Sequence, residues 1–337
     1  MATQALIAQR SGVSQSAVSR ILNSRQDIAI PRKTREKVWR VAKSLGYTPR
    51  FVLVENEKKT RHIGYLISTP VNNPFYHRLF EGVSEGIQKG NYSLLLAHFK
   101  KDELTPEFLE RNKISGVIVQ KEVESEWAKE ISRFLPVVLL NYTIDDVEVD
   151  SVMPNNRQGT KKSAGHLYQL GHRRIALFGM KPYHIHTLER FFGYVEALKE
   201  FDLPKKKEYI KLPERDQGGV EEVLKLAEVT LKNWLTLDEP PTAVVTLGDA
   251  YGLPLLQAAA KLGISIPRQL SVVGFDNIVS CIYSTPSLTS VNQPMEEMGM
   301  AASNILVERI SNPGRPVTKM VLDVDLVIRD STGPVPV

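Results

Sequence analysis

Ser14, Gln15, Ser16, Ser19, Arg20 and Asn23 crowd into one short stretch near the start of the chain. All carry small or forked polar groups that donate or accept hydrogen bonds. On a helix, Ser16, Arg20 and Asn23 recur at i, i+4 and i+7, with Ser19 beside them. Val18, Ile21 and Leu22 recur at i, i+3 and i+4 on the opposite face. A short helix whose outer face holds hydroxyls, amides and one arginine fits a DNA major groove. Such groups reach phosphates and base edges, and bulkier ones would hold the helix off. Taken alone, the same spacing also describes an ordinary amphipathic helix with a solvated face.

The neighbouring residues favour the first interpretation. Ala2 to Asn23 reads as two short helices joined at Gly12, a residue tolerant of positive φ. Thr3 stands where an N-cap would start the first helix. A third amphipathic segment turns Val38, Val41, Ala42 and Leu45 inward and stops at Gly46. This is the helix-turn-helix order, in which the second helix reads the groove.

The charge distribution agrees. The chain has 337 residues and a net charge of +5. Up to Arg61 there are 13 Lys+Arg against 4 Asp+Glu, so this stretch carries +9 and the remainder −4. A polyanion partner is expected for the N-terminal part alone. No apolar run is long enough to cross a membrane, and no charged-then-apolar leader opens the chain. Cys281 is the only cysteine, which excludes an intramolecular disulfide and suits a reducing cytoplasm.

Beyond a polar linker from Glu55 to Arg61 the pattern changes. Strand-like runs recur at His62–Ile67, Tyr92–Ala97, Gly116–Val119, Val137–Leu140, Arg174–Phe178, Glu208–Leu212, Ala243–Leu247 and Ser271–Phe275. Amphipathic segments lie between most of them, including one from Pro74 and others at Thr187–Phe201, Val220–Leu235 and Met295–Ile310. Apolar strands alternating with such helices specify βαβ units on parallel sheets. The segment is long for one open sheet, so two sheets with a cleft are expected, and ligands bind at strand carboxyl ends.

Several motifs in order give the chain a family resemblance. They are Ala8 to Asn23, Thr34-Arg35-Glu36-Lys37-Val38, Leu45-Gly46-Tyr47-Thr48-Pro49, Asn73-Pro74-Phe75-Tyr76, Leu170 to Ala176, Arg190-Phe191-Phe192-Gly193-Tyr194 and Ser271 to Asn277. Together they resemble the LacI/GalR family of bacterial transcription regulators. The resemblance implies an α/β fold: an all-α helix-turn-helix headpiece (1–49), a hinge (50–61) and a two-subdomain periplasmic-binding-protein-like core (62–337) with parallel sheets. It implies that the chain crosses between subdomains three times. The N-subdomain is expected at about 62–160 and 290–320, the C-subdomain at about 161–289 and 321–337. The function implied is a repressor that binds operator DNA as a homodimer or tetramer and answers to a sugar-like effector. The resemblance further implies no enzymatic activity, no membrane attachment and no cofactor or metal.

Residue by residue, the resemblance makes Gln15, Ser16 and Arg20 base readers, and Thr3, Ser14, Ser19 and Asn23 phosphate contacts. Ala17 stands where relatives carry threonine. The hinge segment Arg50 to Glu57 lacks the usual arginine and carries two glutamates, and Leu53 is its candidate minor-groove wedge. Arg190 and Asp276 are the expected effector contacts, with Asn73, Phe75, Tyr76 and Asp249. Gly248 replaces an asparagine amide and Asn155 an aspartate. Pro254 is tolerable in the helix after Asp249 only near its first turn. His184 and His186 suggest a cleft-facing loop rather than a metal site. A plain solute-binding protein and an α/β enzyme remain alternatives. The enzyme lacks a G-x-G-x-x-G, P-loop or G-x-S-x-G sequence to support it.

Overall fold

The structure is a computed structural model, and it describes residues 3–22, 30–45, 61–67, 74–97, 108, 111–120, 123–181, 184–213 and 219–336. The chain divides into two compact units, Met1–Lys59 and Thr60–Val337.

The first unit holds α1 (Gln4–Ser11), α2 (Gln15–Leu22) and α3 (Arg32–Ser44). Thr3 Oγ1 accepts the Leu6 N–H at 3.3 Å, and Gly12 ends α1 at φ 67°. Both positions do what their residue types dictate. Ser14 Oγ accepts the Ala17 N–H at 3.3 Å, so this serine starts α2. Ile7, Val18, Ile21, Val38 and Ala42 form the small core between the three helices.

The second unit contains two six-stranded sheets with helices on their faces. The first lobe comprises β1 (His62–Leu66), α4 (Pro74–Lys89), β2 (Ser93–Ala97), β3 (Ile114–Val119), α5 (Ser125–Ile131), β4 (Val137–Leu140) and β5 (Asp150–Pro154). It is completed by α11 (Met295–Ser311) and β11 (Lys319–Leu322). Its sheet order is β11-β5-β4-β3-β1-β2, with every pair parallel.

The second lobe comprises α6 (Asn156–Gln169), β6 (Ile175–Phe178), α7 (Ile185–Glu200), β7 (Ile210–Lys211), α8 (Val220–Leu235), β8 (Ala243–Thr246), α9 (Asp249–Lys261), β9 (Ser271–Asp276), α10 (Ser280–Tyr283), β10 (Thr289–Asn292) and β12 (Asp325–Val327). Its order is β12-β10-β9-β8-β6-β7. Only β12 runs antiparallel, against β10. The chain therefore passes between the lobes near Asn155, at Gln293–Pro294 and at Asp323–Val324.

Buried Val, Ile and Leu dominate the central strands, as parallel sheets covered on both faces require. In the first lobe, α4 and α11 approach so closely that a Cβ at Gly82 would lie 2.0 Å from the Glu296 carbonyl oxygen. Pro254 is the sixth residue of α9 rather than part of its first turn, and the helix runs on to Lys261. The proline is buried, and one hydrogen bond of the helix is missing at its nitrogen.

Candidate functional site

The carboxyl ends of β8 and β9, the first turn of α6 and the second turn of α7 converge in the second lobe. Arg190 projects from α7 and is buried. Its Nε donates to Asn156 Oδ1 at 2.9 Å, and its Nη1 donates to the Leu247 carbonyl at 2.7 Å. Nη1 also lies 3.1 Å from Asp276 Oδ1, and the guanidinium stacks 3.7 Å from the centre of the Phe275 ring. Three elements and one aromatic face thus hold the fork in a single orientation.

Asp276 closes β9 with φ 114°, and Asn277 follows at φ 52°. Two successive side-chain-bearing residues in this region carry backbone strain. Hydrogen bonds hold them there. Gln293 Nε2 donates to Asp276 Oδ1 at 2.6 Å, Asn277 Nδ2 donates to Asn292 Oδ1 at 2.9 Å, and Arg329 Nη2 donates to Asn277 Oδ1 at 2.6 Å. Burial pushes the Asp276 carboxyl up, opposed by the Arg190 charge and the Gln293 amide.

Asp249 lies beneath this pair and is fully buried. Its carboxylate accepts from the Ser290 hydroxyl (2.6 Å), the Ile278 N–H (2.9 Å) and the Cys281 thiol (3.1 Å). Burial first, then the Asp276 charge, push it up to about 7. Its oxygens are occupied by protein donors, so it supports the site from below. Cys281 is likewise raised, chiefly by burial and then by Asp249.

Across the cleft, Tyr76 on α4 lies within electrostatic reach of both Arg190 and Tyr65. Tyr65 donates to Gln120 Oε1 at the carboxyl end of β3. His184 and His186 stack with ring centres 5.5 Å apart, and burial lowers His186 to about 3. Among the described residues no group of three metal-ligating side chains occurs. Asn155 caps α6, its Oδ1 accepting the Gln158 N–H at 3.1 Å.

Of the residues expected from sequence, the structure brings together Arg190, Asp276 and Asp249, with Tyr76 facing them. Asn73, and the side chain of Phe75, lie outside the described residues. Asn156 and Gln293 were not anticipated. Their only signal was position, one opening the helix after β5 and the other ending the run after β10.

In the first unit, Gln15 and Ser16 are exposed at the start of α2 and Ser19 is half-buried. Asn23, Leu53 and the side chain of Arg20 lie outside the described residues. Val18 and Ile21 turn into the three-helix core, which leaves Gln15 and Ser16 on the opposite, open side of α2.

Residues 7–50 match the family of bacterial regulatory proteins, lacI family, and residues 164–332 match the periplasmic binding protein-like domain. The chain is 30% identical to the HTH-type transcriptional repressor PurR of Glaesserella parasuis serovar 5, over 98% of each chain. The chain belongs to the LacI family. This LacI-family protein is also 29% identical to the ribose operon repressor of Haemophilus influenzae, over 98% of each. A solved complex of the transcriptional regulator CelR with cellobiose superimposes with a TM-score of 0.70 at 25% identity, covering 98% of this chain and 100% of that one. The LacI-family chain is accordingly a sequence-specific DNA-binding transcriptional regulator under small-molecule control. No described helix is long and apolar enough to cross a membrane.

Proposed function

We propose that this regulator is a cytoplasmic repressor whose effector is a sugar or sugar derivative held between the lobes, and that the cleft senses this molecule without turning it over. The carrying observation is the Arg190–Asp276 pair, buried at strand ends and fixed in orientation. Its opposite charges offset one another, which suits a neutral ligand. A carboxylate accepts and a guanidinium donates, so adjacent hydroxyls satisfy both. The cellobiose held by CelR and the ribose operon of the Haemophilus repressor accord with a sugar.

Gln15, Ser16 and Arg20 read bases, and Thr3, Ser14, Ser19 and Asn23 hold phosphates. Arg190, Asp276, Tyr76, Phe75 and Asn73 contact the effector, with Asp249 as support. Leu53 wedges into the minor groove. The protein acts as a homodimer on two half-sites. The exposed Val279, Ile282 and Tyr283 around α10 suit a contact with a second copy. The domains follow from this: a headpiece at 1–49, a hinge at 50–61 and the two-lobed sensor at 62–337.

Two experiments test the proposal. Selection from randomised duplexes should yield a pseudo-palindrome whose binding weakens steeply with salt. Thermal shift of the whole protein with D-ribose, cellobiose, adenine and a panel of anionic metabolites should give stabilisation by a neutral sugar. Stabilisation by anions alone would overturn the assignment of the cleft, and enrichment of no site would overturn that of the headpiece.

A further inference from the structure

Ile185 opens α7, and α7 belongs to the second lobe. Gly193 packs so closely on α6 that a Cβ there would lie 2.3 Å from the Arg157 carbonyl oxygen. Further along, Tyr194 donates to the Ile175 carbonyl at 2.9 Å. Ile185 nevertheless packs against an apolar cluster made wholly of first-lobe residues, among them Leu66, Val117, Leu139, Tyr142 and Val147. The first turn of α7 thus reaches across the cleft. His186 and Arg190 stand four residues apart on one face of the same helix, with the Arg190 guanidinium set in its cage of Asn156, Leu247 and Asp276.

We propose that Ile185 is a positioning residue that latches the two lobes together. Seated in the first lobe's apolar cluster, it holds the lobes closed and fixes how far His186 and Arg190 stand from Tyr76. The physical basis is rigidity. A helix anchored along its length at Gly193 and Tyr194 cannot move its first turn independently, so withdrawal of Ile185 and separation of the lobes are one event. The three crossings between the lobes, near Asn155, Gln293 and Asp323, are where such a separation bends the chain without breaking a sheet. The contact is apolar, so it acts with the cleft empty or filled, and the inference stands whatever molecule the cleft receives.

The test is a distance measurement on the full chain. Cysteines introduced by Glu130→Cys on α5 and Lys232→Cys on α8 place one exposed spin label on each lobe, while the native Cys281 is buried. Pulsed electron resonance then reports the interlobe distance without any ligand. Losing the contact of one partly buried isoleucine corresponds to roughly a 5–10-fold fall in the closed-to-open ratio. Ile185→Ser should therefore lengthen and broaden the distribution, and Ile185→Leu should keep it as in the wild type. Ile185→Ala replaces the serine variant if that one folds poorly. A distribution for the small-side-chain variant that superimposes on the wild type overturns the proposal. So does an equal shift in the leucine variant, or a wild-type distribution that is already open.

Discussion

Arg190→Ala tests whether the second lobe's site is an electrostatic unit. The substitution removes two hydrogen bonds and one ion pair from a side chain that is 4% exposed. Asp276, 15% exposed, keeps the Gln293 amide and loses its countercharge. Asn156 Oδ1 and the Leu247 carbonyl lose their donor. Removing one partner of a buried pair costs about 3–5 kcal/mol, because the other is left uncompensated. For a lobe of this size each kcal/mol is about 2–4 °C, so its melting temperature should fall by about 6–20 °C. The loss should depend on pH. Burial already raises Asp276, and without Arg190 it rises further. A carboxyl raised in the folded state costs nothing while both states are protonated, and its penalty grows as pH rises from the unfolded value to the folded one. The variant should therefore lose more at about pH 8 than at about pH 4, near the unfolded carboxyl value. Arg190→Ala combined with Asp276→Ala removes the orphaned charge, and the pair should cost less than the sum of the two singles. Thermal unfolding of the full-length singles and double, followed by circular dichroism at both pH values, reads all of this. A single variant melting within about 2 °C of the wild type, or strict additivity, would refute the reasoning.

Other expectations follow from neighbouring groups. Asp249 is raised to about 7, so wild-type stability contains a penalty that grows as pH rises from its unfolded value through 7. Asp249→Asn should gain on the wild type between about pH 5 and about pH 8 in paired melting curves, and a constant difference would contradict this. His172 is buried, with contacts to Thr242 at 2.9 Å and to Ser271 and the Gly333 carbonyl at 3.1 Å, and burial lowers it. The unfolded chain takes up that proton below about pH 6.5, so this group's contribution is lost as pH falls below that point. His172→Gln should narrow its gap to the wild type in acid, as read by the same melting curves. Arg20→Ala should cost about 1–3 kcal/mol of operator affinity and relax one base pair in repeated selection, whereas uniform weakening on all duplexes would mean a phosphate contact.

Much of the architecture was legible because it rests on local rules. The central strands declared themselves as apolar runs, and Thr3 and Gly12 as helix boundaries. What escaped was polar or peripheral. Asp150 opens β5 and is buried with Arg309 forked onto its carboxylate at 2.9 Å from a helix far along the chain. Thr289 and Ser290 in β10 are buried, the first with its hydroxyl against that of Thr332 and the second donating to the Asp249 carboxylate. β11 and β12 are short edge strands with half-exposed sides. No hydrophobic period marks such strands, since tertiary partners supply what their side chains lack. At the site, Asp276 was visible as a charged residue at a strand end and Arg190 as the charge opening the Arg-Phe-Phe-Gly-Tyr motif. Gln293 was not, because a lone amide before a proline carries no signal until Asp276 is seen 2.6 Å away.

The route of the chain has a consequence during synthesis. Ile7, Val18, Ile21, Val38 and Ala42 meet using only the first few dozen residues. The first lobe lacks α11 and β11 until the ribosome has passed Leu322, and until α11 is made α4 packs on the sheet alone, without the helix that meets its flank at Gly82. At about 5–20 residues per second, roughly 15–55 s separate a finished headpiece from a finished sensor. For that interval a nascent chain carries its nucleic-acid arm without the part that governs it, and the exposed flank of α4 is a surface for chaperones to cover.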